Sequence, residues 1–484
     1  ILIQKMVMAD YSGVLFTQNP AAVGLQLIEY VKGCGENLVS GLVTPHSAEF
    51  GRYSLLPMDD AKHDFDLKPL LVLGQIIETL FGRPQDIEWA YLDGKFHILQ
   101  SRDITASMGT NETDKVKNSD LVKLLNTFSA SPVDTTILEQ DELSEVLPEP
   151  TPISFDLMSR LWSPGGSLDL AFRSLGVPYK LPEDRPGHMV LVHGRTFVDS
   201  KLKQEMAVSL GRMGETRLRK LAPRFRTEFQ TTTIRQIQQK ASRLQATNFA
   251  LLPHDQLLET IAEIVSDFTV NVYVNAEIVN FLAGFLMHEA QAATKNDPSA
   301  RHRLLIAHLP NAPSSLITGC FDATDGINRQ ALLNTLGHRA PIDYELSAPR
   351  YWEDSAPLVA LARSVGASPT TEPLSGDTDP VSMAISFQDL KEQAKHECLR
   401  FVDQLRRALV ALAETTKLGA LVFHLTFDEI QSLPSAPSLE LSKELASRKR
   451  RRDALLGSPL PPARMTLSDL EVLTAPNLRK QPNK

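Results

Sequence analysis

The sequence predicts a mixed α+β protein, with a strand-rich segment over residues 1–105 and a predominantly helical one over 151–462. Three observations carry this. YSGVLFTQNP (11–20) and LQLIEYVKG (25–33) are strand-like runs rich in β-branched and aromatic residues, separated by glycine-containing turns. QDIEWAYLDGKFHILQSRDIT (85–105) alternates apolar and polar residues on both sides of Asp93-Gly94, the strongest local hairpin pattern. Beyond residue 151, apolar residues recur at helical spacing, most clearly at Leu257, Leu258, Ile261, Ile264, Val265 and Phe268.

Between the strands, LKPLLVLGQIIETLFG (67–82) spaces Leu70, Leu73, Ile76, Ile77 and Leu80 as one helix face. Residues 106–150 begin with the small, polar SMGTNETDKVKNSD and are expected to be a linker. GHMVLVHGRTFVDS (187–200) reads as a strand-like insert among helices, and VGASPTTEPLSGDTDPVS (365–382) as a loop. ELSKELASRKRRRDALL (440–456) reads as a charged amphipathic helix, stopped by the prolines of GSPLPP; residues 463–484 are expected to start a further linker.

The bulk numbers narrow the function classes. A chain of 484 residues with 42% hydrophobic and 22% charged residues suits two or three soluble domains. A net charge of -8 disfavours a general nucleic-acid binder. Cys34, Cys320 and Cys398 are too few and too scattered for a disulfide framework or a metal-ligand pattern. The apolar region around 257–287 carries Glu263, Asp267 and Glu277, which points to a core helix and away from a membrane span. The expected location is cytoplasmic.

The hairpin raises a sharper question. With a three-residue loop of Leu92, Asp93 and Gly94, Tyr91 pairs with Lys95, Asp86 lies opposite Gln100, and Glu88 lies opposite Ile98. Asp86, Glu88, Ile98, Gln100 and Arg102 then share one face; a two-residue loop would put Glu88 and Gln100 on opposite faces. Two carboxylates, an amide oxygen and a guanidinium suit a Mg²⁺-nucleotide, because oxygens hold the hard cation and arginine forks onto phosphate. The same set also describes a solvated sheet face with a salt bridge. Pattern alone does not choose.

QKMVMADYSGVLFTQNP (4–20), KGCGENLVSGLVTP (32–45) and FGRPQDIEWAYLDGKFHILQSRDIT (81–105) together resemble the second half of the ATP-grasp domain in the phosphoenolpyruvate-utilising, pyruvate phosphate dikinase family. The resemblance implies Glu88 and Gln100 as ligands of Mg²⁺ and ATP, Arg102 as a phosphate contact, and Asp86 in support. It also places Gly35 and Glu36, with Gly33, beside the nucleotide. DELSEVLPEPTPISFDLMSRLW (141–162), LGHRAPIDYELSAPRYWED (336–354) and LVFHLTFDEI (421–430) resemble the central domain of rifampin-phosphotransferase-like proteins. The fold class expected is therefore the C-terminal half of an ATP-grasp domain followed by a helix-rich acceptor domain. The first half of the ATP-grasp fold is expected before Ile1. The family's phosphohistidine signature does not occur; SPGGSLDL (163–170) has the glycines without the histidine. The chain is thus expected to be part of a longer phosphotransferase that passes phosphate from ATP through a histidine to a small-molecule acceptor larger than pyruvate. A condensing enzyme of the kind used in prodigiosin synthesis, and a non-catalytic remnant, are the alternatives.

Other candidates read more simply. His338 and Arg339 suit a helix C-terminus, where positive charge is favoured, although a catalytic role is open. Arg350, Glu353 and Asp354 are expected as a surface ion-pair cluster over a buried Trp352. RKRRR (448–452) and the basic run Arg212 to Arg243 are expected as solvated helix faces, and His188 and His193 lack partners for zinc.

Overall fold

The computed structural model describes residues 6–474 except 21–23, 35–44, 53, 59–61, 82, 105–115, 118–119, 122, 125–127, 129–135, 178, 180–187, 213–214, 306, 308, 322–325, 366–378 and 459. The chain divides into two units. Residues 1–139, 191–194 and 451–484 form the first, and 140–190 with 195–450 form the second.

The first unit is built on a five-stranded antiparallel sheet in the order β3-β2-β1-β4-β5. Its strands are β1 (Tyr11–Phe16), β2 (Leu25–Lys32), β3 (His46–Gly51), β4 (Gln85–Leu92) and β5 (Lys95–Asp103). Period-two alternation gives the sheet one apolar face, on which Leu15, Ile28, Tyr30, Ala48, Phe50, Ile87 and Trp89 are buried with Leu70 and Leu71 of the helix Lys68–Phe81. That helix sits rotated from the stripe expected of it. It buries Leu70, Leu71 and Gly74, while Ile76 and Leu80 are exposed. Gly74 is the cause: without a side chain, it lets the helix settle against Leu15.

Close approach also explains Gly13. A Cβ there would lie 2.9 Å from Trp89 Cζ2 and would collide with the Glu29 carbonyl. The glycine in YSGV thus lets the largest core side chain cross over β1.

Four shorter strands follow: β6 (Ile137–Glu139), β7 (Met189–Val192), β8 (Arg195–Asp199) and β9 (Arg464–Thr466). β6 pairs antiparallel with β9, and β9 leads into the helix Leu467–Thr474. The helix Glu142–Val146 is closed by a capping box between Asp141 and Ser144. Both stretches expected as linkers, 106–150 and 463–484, thus carry secondary structure among their described residues. β7 and β8 flank a turn with His193 and Gly194 both at positive φ, in keeping with the expected insert.

The second unit is helical. Its core is organised by two long helices, His254–Ala293 and Pro380–Thr415, the latter 36 residues. Asp379 caps Pro380–Thr415 by accepting from the backbone N–H groups of Val381 and Ser382, with Pro380 at the first helical position. The first is interrupted by a π turn, Phe268–Val272. By length and composition it could cross a bilayer, yet Leu257, Ile261, Ile264, Val265, Phe268, Val279, Leu282 and Leu286 are buried in this unit's core. It is the core helix the sequence predicts. The helix Leu439–Leu456 buries Leu445, while Arg448 pairs with Glu429 at 2.7 Å and Glu444 at 2.6 Å.

Gly13→Ala should destabilise the first unit by about 2 kcal/mol or more, the scale of overpacking a filled site. Urea unfolding followed by tryptophan fluorescence in a Trp162→Phe, Trp352→Phe background, where Trp89 alone reports, checks this; an unchanged midpoint would mean that β1 and Trp89 do not meet closely.

Candidate functional site

The β4–β5 hairpin closes through a two-residue turn, not the expected three-residue loop. Leu92 pairs with Lys95, and Asp93 and Gly94 have φ of 50° and 75°. Two successive positive φ values match the right-handed twist of the flanking strands, which is why Asp-Gly suits this turn. The ladder continues through Tyr91–Phe96, Ala90–His97 and Trp89–Ile98, then shifts, so that Glu88 pairs with Gln100 and Asp86 with Arg102. The surplus residue is Leu99, a bulge in β5.

This moves the odd residue from the loop to the strand and still brings Asp86, Glu88, Gln100 and Arg102 onto one face. Ile98 is the exception. It lies across from buried Trp89 and packs with the core, so it belongs to the opposite face from the one expected.

The base of the hairpin is pinned by buried polar contacts. The Gln85 and Thr17 backbones bond at 2.9 Å, and Gln85 N–H donates to Thr17 Oγ1 at 2.8 Å. The Gln85 side chain accepts from Ser101 Oγ and donates to Asp103, each at 2.8 Å. These fix the register on the far side of the bulge, where a slip of one residue would turn every side chain over.

On the open face, Arg102 Nε donates to Asp86 Oδ2 at 2.8 Å, and its Nη2 lies 4.0 Å from Glu88 Oε1. The hydrogen bond it donates to Asp86 holds the guanidinium above its ordinary pKa. Arg102 is 58% exposed, so the pair adds no more than about 1 kcal/mol to stability. Asp86 Oδ1 is shielded from solvent and accepts no hydrogen bond. A shielded carboxylate oxygen without a donor, beside a second carboxylate and an amide, is a fitting ligand for a hard cation. Among the described residues, no group of three or more His, Cys, Asp or Glu side chains is placed to hold a metal; two carboxylates and Gln100 would leave the remaining positions to water and phosphate. Val14 and Phe16 of β1 pair with Glu88 and Asp86 and extend the face with half-buried apolar surface. Gly35 and Glu36 lie outside the described residues.

Comparison with known proteins bears on this unit. Residues 1–54 match the family described as pyruvate phosphate dikinase, AMP/ATP-binding domain. A probable phosphoenolpyruvate synthase of Archaeoglobus fulgidus is 36% identical over 135 residues, covering 22% of this chain and 18% of that protein. The rifampicin phosphotransferase of Streptomyces sviceus is 30% identical over 211 residues, covering 36% of this chain and 24% of the relative. The phosphoenolpyruvate synthase of Pyrococcus furiosus is 31% identical over 174 residues, 27% of this chain and 21% of the relative. Over these segments the chain is similar to members of the phosphoenolpyruvate-utilising, pyruvate phosphate dikinase family. Its matches span about a quarter or less of the lengths of these curated relatives.

In the second unit, the segment 336–354 differs from expectation. Arg350 is fully buried, donating to the Asp343 carbonyl at 2.7 Å and the Glu345 carbonyl at 3.3 Å, whereas Trp352 is 42% exposed beneath Arg407. Core and surface are exchanged, because Arg350 satisfies backbone carbonyls that no apolar residue could. Burial pushes its guanidinium down to about 10. Glu345 is also buried, accepting from Thr151 Oγ1 at 2.7 Å and from the Thr151 and Ser347 N–H groups at 2.9 and 2.8 Å. His338 does not act as a charged cap. It packs edge to face on His396 with ring centroids 4.5 Å apart, and burial holds it well below its ordinary pKa; Arg339 instead pairs with Asp343 at 2.5 Å.

Of the acids that the sequence places in the long apolar helix, Glu277 is buried. Glu277 accepts from Trp162 Nε1 at 2.9 Å, and burial pushes its pKa up to about 7. A lone carboxylate amid VNAEIVNFLAGF was the available signal.

Two predictions follow from the hairpin and this acid. Deleting Leu99 removes only the surplus residue and keeps Glu88 opposite Gln100, so thermal unfolding should register a loss of about 1 kcal/mol or less. An alanine inserted after Leu99 should cost several times more; equal costs would argue against the bulge. Glu277 binds its proton more tightly folded than unfolded, so its contribution is complete below pH 4.5 and is lost as pH rises through about 7. His188 and His396, pushed down to about 4 by burial, run the other way: their contribution is present above 6.5 and is lost on acidification toward 4. Glu277→Gln should therefore remove a decline of about 1 kcal/mol between about pH 6 and 8 in urea unfolding, leaving the acid limb unchanged.

Proposed function

We propose that this chain supplies one wall of an ATP site in a phosphotransferase that moves phosphate from ATP, through a histidine carried elsewhere, to a small-molecule acceptor. The observation that carries the reading is the Leu99 bulge, which gathers two carboxylates, an amide and an arginine on the open side of a sheet whose other side is a packed core. Phosphoryl transfer asks for positioning and charge neutralisation more than for covalent chemistry, and these residue types provide both.

In this reading Glu88, Gln100 and the unbonded oxygen of Asp86 hold Mg²⁺, which would neutralise phosphate charge. Arg102 leaves Asp86 for a phosphate oxygen. It is exposed enough to do so, and its planar fork suits the new partner better than a lysine would. Val14 and Phe16 flank the acids and exclude water. Gly35 and Glu36 are proposed beside the nucleotide from the sequence resemblance alone. The helical unit is proposed to hold the acceptor, a molecule larger than pyruvate, since its buried apolar helices suit a broad cleft better than a tight anion site. A cytoplasmic location fits a consumer of ATP.

The test uses the full polypeptide that contains this chain. AMP and phosphate release are read with pyruvate, rifamycins and pyrrole aldehydes as acceptors. Glu88→Gln and Gln100→Ala should each lower kcat/KM by about 10²-fold or more, and Arg102→Lys should not restore an Arg102→Ala defect. Turnover with pyruvate alone, or full activity in Glu88→Gln, would overturn the proposal.

A further inference from the structure

The basic run that the sequence assigns to solvent becomes one ridge in the fold. The helices Glu215–Glu228 and Ile234–Gln245 join through a second π turn, Phe229–Thr233, into a single helical run. Leu218, Ala222 and Phe229 are buried in its first part, with Phe225 packed beside them, and Ile234, Ile237 and Ala241 are buried in its second. Inward residues recur at helical spacing except across the π turn, where Phe229 is followed by Ile234. The extra residue keeps one side of the run against the core over its whole length, and the other side outward.

The outward side is cationic. From 217 to 243 the run holds eight Lys and Arg residues and one acid, Glu228, in a chain whose net charge is -8. Arg219 and Lys240 reach sideways to Glu289 at 2.6 Å and Asp267 at 2.5 Å, and Arg226 donates to Ser386 at 3.2 Å. Lys220, Arg224, Arg235 and Arg243 are exposed and make no ion pair or side-chain hydrogen bond among the described residues. Gln236 and Gln239, also exposed, set amide donors between them. Lys220 and Arg224 are like charges one turn apart, an arrangement that weakens a helix until an opposite charge comes between them. With a rise of about 1.5 Å per residue, the ridge is about 40 Å long.

Charge and shape together select the partner. The planar fork of arginine suits carboxylate and phosphate alike. From 217 to 243 no large apolar residue is exposed, so the ridge has nothing to insert into a bilayer and no exposed ring on which to stack a base. A bilayer or a long duplex would also press its charge against the rest of the chain, which holds the surplus of acids. A compact acidic stretch of protein meets the cations alone.

We propose that the ridge 217–243 docks an acidic segment of a protein partner, its Asp or Glu side chains laid along about 40 Å and taken by Lys220, Arg224, Arg235 and Arg243. The docking goes beyond phosphoryl transfer. It needs neither ATP nor an acceptor, and it stands or falls separately from both.

Fluorescence anisotropy of the full chain without nucleotide tests it, with a labelled polyglutamate of about 25 residues, long enough to cover the ridge even as a helix. The peptide should bind, and raising NaCl from about 50 to about 300 mM should weaken it at least about tenfold. The combined variant Lys220→Glu, Arg224→Glu, Arg235→Glu and Arg243→Glu should weaken it at least about tenfold. Lys295→Glu, Arg301→Glu, Lys443→Glu and Arg450→Glu make the same change of net charge at exposed sites off the ridge, and together should cost less than about threefold. Absence of binding at low salt, equal losses in the two variants, or tighter binding of duplex DNA or phosphatidylserine vesicles than of the peptide would overturn the proposal. Should the ridge variant lose its helical circular dichroism, Arg224→Gln with Arg235→Gln decides instead, with an expected loss of about threefold.

Discussion

The sheet of the first unit depends on a strict two-residue alternation. It has one face to bury, and every strand must present its apolar residues there or the core is lost. β4 obeys with Ile87 and Trp89 inward and Asp86 and Glu88 outward. β5 cannot obey from end to end, since the Asp93-Gly94 turn fixes the register on one side of Leu99 and the Gln85 contacts fix it on the other. The two registers differ by one residue, and Leu99 absorbs the difference. The acidic face exists because this conflict is settled inside the strand.

The second unit solves a different problem. The segment 343–353 and the helix Pro380–Thr415 bring charged groups to the core, where they find partners. Arg350 serves carbonyls, Glu345 collects hydroxyl and amide donors, and Arg406 forks onto Glu353 at 2.7 and 2.8 Å. Buried pairs of this kind add little net stability, but losing one partner is expensive, so they fix how the connecting segment 343–353 threads past the helices. Glu277 and the His338–His396 pair differ from these. Burial disfavours their charged forms, and they make the core sensitive to pH in opposite directions.

What was legible in the sequence follows from the range of the forces involved. β1, β2, the hairpin and the apolar stripe Leu257 to Phe268 announce themselves through local periodicity, and the structure has them. The turn type was also local information, written in Asp-Gly, but the bulge was not: Leu99 looks like any other apolar strand residue, and only the fixed register at Gln85 exposes it as surplus. The face of the helix Lys68–Phe81 was misjudged because Gly74, which carries no hydrophobic signal, decides the contact. The exchange between Arg350 and Trp352 was hidden for a similar reason. Composition assigns arginine to the surface, and only its bonds to the buried carbonyls of Asp343 and Glu345 explain why this one goes in.

The π turn at Phe268–Val272 works like a vernier on the long helix. An α-helix advances about 100° per residue, so a turn closed by one residue too many re-indexes everything after it. Residues that share a side before Asp267 no longer share it after Tyr273. One rod thereby buries Ile261 and Val265 upstream, and turns its downstream sequence toward Trp162 through Glu277. A homologue with one residue fewer in this stretch would keep the same helix and lose that division of labour. The length of 268–272 is thus a countable character, readable from sequence alone, for sorting which relatives can bring an acid to that tryptophan.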